Sequence, residues 1–470
     1  DLSAHQPETV AQYKQPLAEG ISCTRCHGDG QAHVAMRQSG GGPAQGEADE
    51  TILNPARLST ERQLEICQQC HLAGVTRVLE RGHSWDNYDP RTPLRNYMAI
   101  YAFEGDNGDD FGIAGQAQRL NMSRCAQESP KGLTCTQCHN PHKRDKAFAR
   151  RAACLECHKA NDCGSEHGLS VDSQCSECHM NRGETRDIPH VNYTDHYIRK
   201  KARFSRRNLD YGRSHELVEL LKAPLDDQGL IDQQLRRGLA HYEVWKARGG
   251  RIHLGFAERF LSKALIAMPD YTHAWDVLGR TRSGLGDYDG AVLAFAQVER
   301  QRPTELLFRF PYARVLRRLG RNEEAIRVLT DGSVQAPESK RVWLQLGKAL
   351  LAADRFDQAR HAVKKAQALR PDAPDIWAML GQIALEEGKL PEAESAFKHA
   401  LKLGPGDGRY YFNVAMAALS RGDRQRGKAH LKETIAWAPH IASAYLILSK
   451  LSIESGDKDT ARTFLKQMMK

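Results

Sequence analysis

The sequence predicts a mainly α-helical chain built from two unlike parts. Residues 1–200 read as a coil-rich region with short helices, residues 201–235 as a basic linker or helix, and residues 236–470 as an all-helical repeat stack, with little or no strand throughout. Three observations carry this. All 12 Cys lie between Cys23 and Cys178. Pro recurs every 34 residues, at Pro269, Pro303, Pro337, Pro371, Pro405 and Pro439. Net charge is −4 over residues 1–200 and +13 over residues 201–470. At 470 residues, 40% hydrophobic and 27% charged, the chain can bury a core and is not disordered as a whole. No stretch of 18 uninterrupted apolar residues is present, so no membrane-spanning helix is expected. A start at Asp1, without Met or an apolar leader, is what a processed chain is expected to show.

Ten of the Cys form five copies of one pattern: Cys23-Thr-Arg-Cys26-His27, Cys67-Gln-Gln-Cys70-His71, Cys135-Thr-Gln-Cys138-His139, Cys154-Leu-Glu-Cys157-His158 and Cys175-Ser-Glu-Cys178-His179. Cys-x-x-Cys-His is the attachment signature of c-type haem. Two intervening residues bring both sulfurs to one side of a short turn for thioether formation, and the adjoining His supplies an axial nitrogen to iron. Zinc and redox sites also use Cys-x-x-Cys but need no His directly after it. Five covalent c-type haems are therefore expected, and with them an exported protein, periplasmic or extracellular. About 40 residues per haem cannot make a large polypeptide core. The porphyrins themselves are expected to be the core, and the short spacing of the last three motifs packs those haems closely.

The other axial ligand must come from a second His. His33 follows its motif through a Gly-rich turn, and His142 lies too near His139 to face the same haem. His190 and His196 sit beyond the last motif. These four are the distal candidates. The fifth is His83 or His5, with His167 behind them. Met36, Met98, Met122 and Met180 are read as packing residues rather than ligands. Two His per iron suit electron transfer, whereas an open position suits substrate chemistry. Cys125 and Cys163 fall outside the motifs; in an oxidising compartment they form a disulfide or remain as two buried thiols.

The run Gly20-Ile-Ser-Cys-Thr-Arg-Cys-His-Gly-Asp-Gly-Gln-Ala-His33, the Cys-His-Asn-Pro-His ending at His142, and Asp187-Ile-Pro-His190 with Thr194-Asp-His196 resemble a multihaem cytochrome c family. That family groups the tetrahaem carrier of ammonia oxidisers, multihaem nitrite reductases and hydroxylamine oxidoreductases. The resemblance covers residues 20–200 and implies distal ligation by His33, His142, His190 and His196. The Cys-x-x-Cys-Lys by which ammonia-forming nitrite reductases bind their catalytic haem does not occur here.

Beyond residue 235 the period carries more than Pro. Trp275, Trp343, Trp377, Tyr411 and Tyr445 share one register, in which Arg309 takes the second place. Gly286, Gly320, Gly388, Gly422 and Gly456 share another, in which Asp354 takes the third. A small residue recurs at Ala291, Ala325, Ala359, Ala393, Gly427 and Ala461. This is the tetratricopeptide helix–turn–helix pattern. Five repeats are expected from about residue 270, with a divergent one over 236–269. Such a stack docks protein in its groove, and His241, His253, His273, His361, His399, His430 and His440 are expected at its surface. No catalytic constellation shows in it, and no nucleic-acid-reading motif.

Haem propionates add about −1 per oxidised and −2 per reduced haem, so the loaded region would reach roughly −9 to −14 against +13 on the rest. Opposite parts of two copies would attract. The leading expectation is thus an electron carrier whose repeats dock a redox partner or another copy, the latter head to tail as a conducting filament. The alternative is an oxidoreductase acting on a small nitrogen or sulfur compound at one open iron.

Overall fold

Short helices bearing the cysteine motifs hang on a small sheet, and regular helix pairs follow. The computed structural model describes residues 21–72, 74–84, 87–104, 115–142, 150–159, 174–180, 182–184, 192–200, 215–221 and 227–468. The described residues fall into two units, one ending at Pro269 and one beginning at Asp270. The candidate residues His5, His167, His190 and Cys163 lie outside the described residues.

The first unit runs α1 (Thr24–His27), α2 (Gln31–Gln38), α3 (Thr60–His71), β1 (Thr76–Leu79), β2 (Met98–Phe103), α4 (Gln116–Asn121), α5 (Arg124–Glu128), α6 (Arg150–Leu155), α7 (Cys175–His179), β3 (Arg182–Glu184), β4 (Asn192–Thr194), β5 (Leu217–Glu219), α8 (Asp227–Arg248) and α9 (Arg251–Ala267). Central β2 pairs antiparallel with β1 and β5, Tyr101 standing opposite Thr76 on one side and Glu219 on the other. Its run Met98–Tyr101 is buried and joins Leu72, Tyr88, Leu94 and Tyr97 in a core. This sheet departs from the expected near-absence of strand. β1 and β5 are too short to show a period-two pattern in the sequence. The segment expected as basic linker or helix holds β5 and the start of α8.

α8 packs on β1 and β5. Its Arg236 pairs with Glu80 at 2.9 Å and with Glu219 at 3.7 Å. Burial raises both carboxyls above their ordinary value, and Arg236 opposes that rise. The α8–α9 hairpin also corrects the expectation of surface histidines. His241 and His253 are buried, 0% and 5% exposed, with their Nδ1 atoms 3.0 Å apart. His241 lies against the rings of Phe256 and Phe260. Its position on an apolar face escaped periodicity because His reads as polar. Burial, then His253 and Arg237, push the His241 imidazole down to about 3.

The second unit is six helix pairs: α10 (Thr272–Leu285) with α11 (Tyr288–Gln301), α12 (Arg309–Arg318) with α13 (Asn322–Gln335), α14 (Lys340–Leu351) with α15 (Phe356–Leu369), α16 (Pro374–Glu386) with α17 (Leu390–Leu403), α18 (Gly408–Ser420) with α19 (Arg424–Trp437), and α20 (Ala442–Glu454) with α21 (Lys458–Met468). Six pairs, not five, arise because six prolines bound five intervals and a further hairpin follows Pro439. Within a pair the helices meet where side chains are missing: a Cβ on Gly381 would lie 2.6 Å from the Phe397 ring. The indole N–H groups of Trp343 and Trp377 donate to the carbonyls of Pro337 and Pro371 at 2.7 and 2.9 Å. Arg309 stands in the same register, and its guanidinium donates to the Pro303 carbonyl in the same way. It also donates to the Val328 carbonyl at 3.1 Å and lies 3.6 Å from Glu299.

Five turns between paired helices place a Gly in the left-handed region, φ +73° to +88°; the third places Asp354 there at φ +56°. A side chain in that region costs energy that Gly avoids. Asp354→Gly is expected to stabilise the protein by about 1 kcal/mol, read as a higher urea midpoint. The buried His241 makes the first unit acid-sensitive. Its folded-state pKa lies below the unfolded value, so its contribution is complete above pH 6.5 and falls away as the pH drops toward 3. Stability from this group should decline by about 2 kcal/mol between pH 7 and pH 5, and His241→Leu should flatten that part of the urea-measured pH profile.

Candidate functional site

Each cysteine motif sits on a short helical turn, the geometry that Cys-x-x-Cys-His requires. Cys23 precedes α1, and Cys67 and Cys70 occupy the last turn of α3. Cys135 opens a 3-10 turn, Cys154 lies in α6, and Cys175 and Cys178 lie in α7. In each of these motifs the backbone folds back on the first Cys or nearby: the N–H groups of His27, His139 and His158 donate to the carbonyls of Cys23, Cys135 and Cys154 at 2.8–2.9 Å.

The sulfurs link the motifs in sequence order. Burial, then Cys67 and Cys70, raise the Cys26 thiol, which sets the first motif beside the second. The Cys67 thiol donates to Cys135, raising Cys67 and lowering Cys135, which sets the second beside the third. Burial, then Cys175, push Cys154 up to about 11; Cys138 acts on it as well. The fourth motif therefore packs on the fifth and lies near the third. Cys125 is half-buried beside Cys157, and burial raises its thiol.

The histidines are oriented by what their Nδ1 atoms meet. A carbonyl can only accept, so Nδ1 opposite one carries the proton and Nε2 becomes the ligating nitrogen. His27 Nδ1 lies 2.8 Å from the Leu53 carbonyl, His179 Nδ1 2.8 Å from that of Arg199, and His196 Nδ1 3.1 Å from that of Thr194. His33 Nδ1 donates to Asp49 at 2.8 Å. Hydrogen bonds from Thr51, then those from His33 and Arg37, hold Asp49 down to about 2, so it stays an acceptor. Burial, then the His139 imidazole, push His196 below its ordinary value, which favours the neutral ligand form.

Two distal candidates face motif histidines. The His27 and His142 rings lie 5.8 Å apart at 18°, and those of His139 and His196 lie 5.9 Å apart at 28°. Two metal–nitrogen bonds of about 2 Å, with roughly 1 Å from each Nε2 to its ring centre, put two imidazoles about 6 Å apart across one iron. The residues present thus fit bis-imidazole haem at two motifs. His83 instead stands edge-on to Tyr97 at 5.0 Å in an exposed turn. Among the described residues no group of three or more His, Cys, Asp or Glu is arranged to hold a metal ion by itself.

What sequence reading missed is the clamp on His196. Arg119 of α4 grips Asp195 with Nε–Oδ1 at 2.8 Å and Nη2–Oδ2 at 2.6 Å, both residues buried. Ser123 accepts from the Ile198 N–H at 2.8 Å and donates to the His196 carbonyl at 3.4 Å. An Arg and an Asp 76 positions apart carry no sequence signal of their pairing.

Residues 255–470 match the family described as the Cilia and flagella-associated protein 70 C-terminal domain, a tetratricopeptide-repeat family. No curated protein matches the chain. Similar solved structures include two tetratricopeptide-repeat proteins and MamA. One from Parabacteroides merdae is 16% identical, with TM-score 0.44, covering 50% of this chain and 93% of its own. One from Thermus thermophilus is 20% identical, with TM-score 0.36, covering 39% and 99%. The MamA protein is 23% identical, with TM-score 0.30, covering 37% and 94%. The family match and the helix pairs make the carboxy-terminal unit a tetratricopeptide-repeat solenoid, a fold that mediates protein–protein interaction.

Removing one partner of the Arg119–Asp195 pair leaves a buried charge uncompensated. Asp195→Ala should destabilise the first unit by about 3–5 kcal/mol in thermal or urea unfolding, while Arg119→Met with Asp195→Leu recovers most of that loss.

Proposed function

We propose that the chain is an exported pentahaem c-type cytochrome that carries electrons along a row of closely spaced haems, its repeat unit docking a protein partner or another copy. The observation that carries this reading is the pairing of motif histidines with distal candidates, His27 with His142 and His139 with His196, at the spacing one iron needs. The five Cys pairs would anchor the groups, with His27, His71, His139, His158 and His179 as proximal ligands. When bound, haem iron with two imidazoles supplies reversible one-electron transfer at low potential.

The chain's own residues do the positioning. Leu53, Arg199 and Thr194 carbonyls and the Asp49 carboxylate accept from Nδ1 and set each ring's rotation. The linkage of the five motifs through neighbouring sulfurs supports a continuous row, with no motif set apart. At the two motifs faced by a distal candidate, two axial His would close the iron to substrate, which favours a relay over catalysis. Covalent haem attachment belongs to exported proteins, hence the periplasmic or extracellular placement.

A pyridine hemochrome assay should read five haems per chain, and the denatured mass should exceed that of the polypeptide accordingly. His142→Ala and His196→Ala should each convert one low-spin haem to high-spin in the electron paramagnetic resonance spectrum. A mass equal to the polypeptide alone, or a high-spin fraction already present in the unmodified protein, overturns the relay.

A further inference from the structure

The second helices of successive repeat pairs flank a groove whose floor is the first helix of the later pair, and the repeat register sets what stands in it. Ion pairs span three of these grooves. Between α11 and α13, Arg327 holds Glu299 at 3.0 Å. Across the groove between α15 and α17, Arg360 pairs with Glu387 and lies 3.8 Å from Glu392. Across the one between α17 and α19, Glu394 takes Arg421 and, at 2.7 Å, Arg426. Arg360 and Glu394 share one register position, and Glu392 and Arg426 share another. In the groove between α13 and α15 those positions hold Ile326 and Gln358, which cannot form an ion pair. The register places of Glu299 and Arg327 pass there to Ser333 and His361. Arg355 with Glu323, at 2.9 Å, spans only the end where α13 and α15 begin.

Without those bridges the groove holds a cavity of about 440 Å³, large enough for a small molecule. Ile326, Leu346, Leu350 and Ala362, all buried, form its apolar part together with Trp343. The Trp343 indole N–H donates to the Pro337 carbonyl at 2.7 Å, which fixes the ring. Thr330, Asp357, Gln358 and His361 line its exposed side. The side chains of Asp357, Gln358 and His361 make no hydrogen bond or ion pair among the described residues. Arg355, which also lines the cavity, is already held by Glu323. The charge that the cavity leaves open is therefore the Asp357 carboxylate.

An occupant that suits this cavity brings an apolar body to the floor and positive charge to the rim. The body removes apolar wall from water. An ammonium group meets Asp357 in a charge-assisted hydrogen bond, and the fixed indole of Trp343 adds its attraction for a cation. A carboxylate-bearing molecule of the same shape meets Asp357 with like charge. We propose that the groove between α13 and α15 is a binding site for a small organic ammonium ion with an apolar, aromatic or branched body. The site lies wholly within the repeat unit and does not depend on the haem reading.

The test uses the full chain and para-fluorophenethylamine, an ammonium ion at neutral pH, followed through its fluorine resonance. Titration should show saturable binding, and para-fluorohydrocinnamate, with the same ring and the opposite charge, should bind roughly tenfold or more weakly. Ile326→Arg with Gln358→Glu installs the pair found one repeat later and leaves net charge unchanged. With its helical circular dichroism intact, this double variant should bind the amine roughly tenfold or more weakly. Asp357→Asn should shrink the preference for amine over carboxylate to about threefold or less. No saturable binding of the amine, equal binding of the carboxylate, undiminished binding by the folded double variant, or a preference that survives Asp357→Asn overturns the proposal. Should the double variant fail to fold, Asp357→Asn alone decides.

Discussion

An imidazole whose Nδ1–H donates to a carbonyl has one nitrogen with which to bind iron, and its ring can no longer rotate freely. The first unit depends on that constraint. His27 and His179, both motif residues, and His196, a distal candidate, each meet a backbone carbonyl through Nδ1, while His33 meets the Asp49 carboxylate. These acceptors are distant in sequence from their histidines in three of the four cases, so the loops of the unit must fold together before the rings take their places. The irregular backbone of this region is thus a set of supports for imidazoles as much as a set of connections.

Those loops need something rigid to hang from, and the cysteine motifs do not supply it. The β1–β2–β5 sheet and α8 do. Met98–Tyr101 are buried, and Arg236 of α8 reaches Glu80, just after β1, and Glu219 of β5. α3 ends in Cys67, Cys70 and His71 immediately before the buried Leu72, so the second motif is attached directly to this core. The clamp of Arg119 and Ser123 on residues 195–198 then ties the end of the motif region to α4. A buried bidentate pair gives fixed geometry more reliably than net stability, and fixed geometry is what a ligand histidine needs.

The features readable from sequence are those repeated by covalent or periodic necessity. Five copies of Cys-x-x-Cys-His announce themselves because each needs the same three residues at the same spacing. The repeat stack does so because each pair must fit its neighbour; even the Asp354 exception was marked by its register. Features made by tertiary contact were hidden. The three- and four-residue strands β5 and β1 carry no periodicity, and the Arg119–Asp195 pair joins positions with no local relation. His241 looked like a surface residue because its apolar surroundings, Phe256 and Phe260, lie on the next helix. Arg309 is the instructive intermediate. Its register placed it among the aromatics, yet nothing in its chemistry predicts burial at 2% exposure until the Pro303 carbonyl is seen to accept from it as other prolines accept from Trp.

Net charge alone is a poor guide to where the repeats would bind. Their surplus of cations is distributed over exposed pairs worth little individually, and a cation already facing a carboxylate offers little to a partner. Arg309 shows how the stack treats a cation it intends to keep: two carbonyls accept from it and two carboxylates lie within 4 Å. Arg317, one position from the end of the same helix, has a buried Nε without a hydrogen-bond partner, as Arg309 does, and makes no ion pair among the described residues. The two arginines share a helix and each has an unpartnered Nε, but the other nitrogens of Arg309 meet two carbonyls and two carboxylates. A cation held by carbonyls and carboxylates of neighbouring segments ties those repeats together, and Arg309 does this in the register where the other repeats use an aromatic.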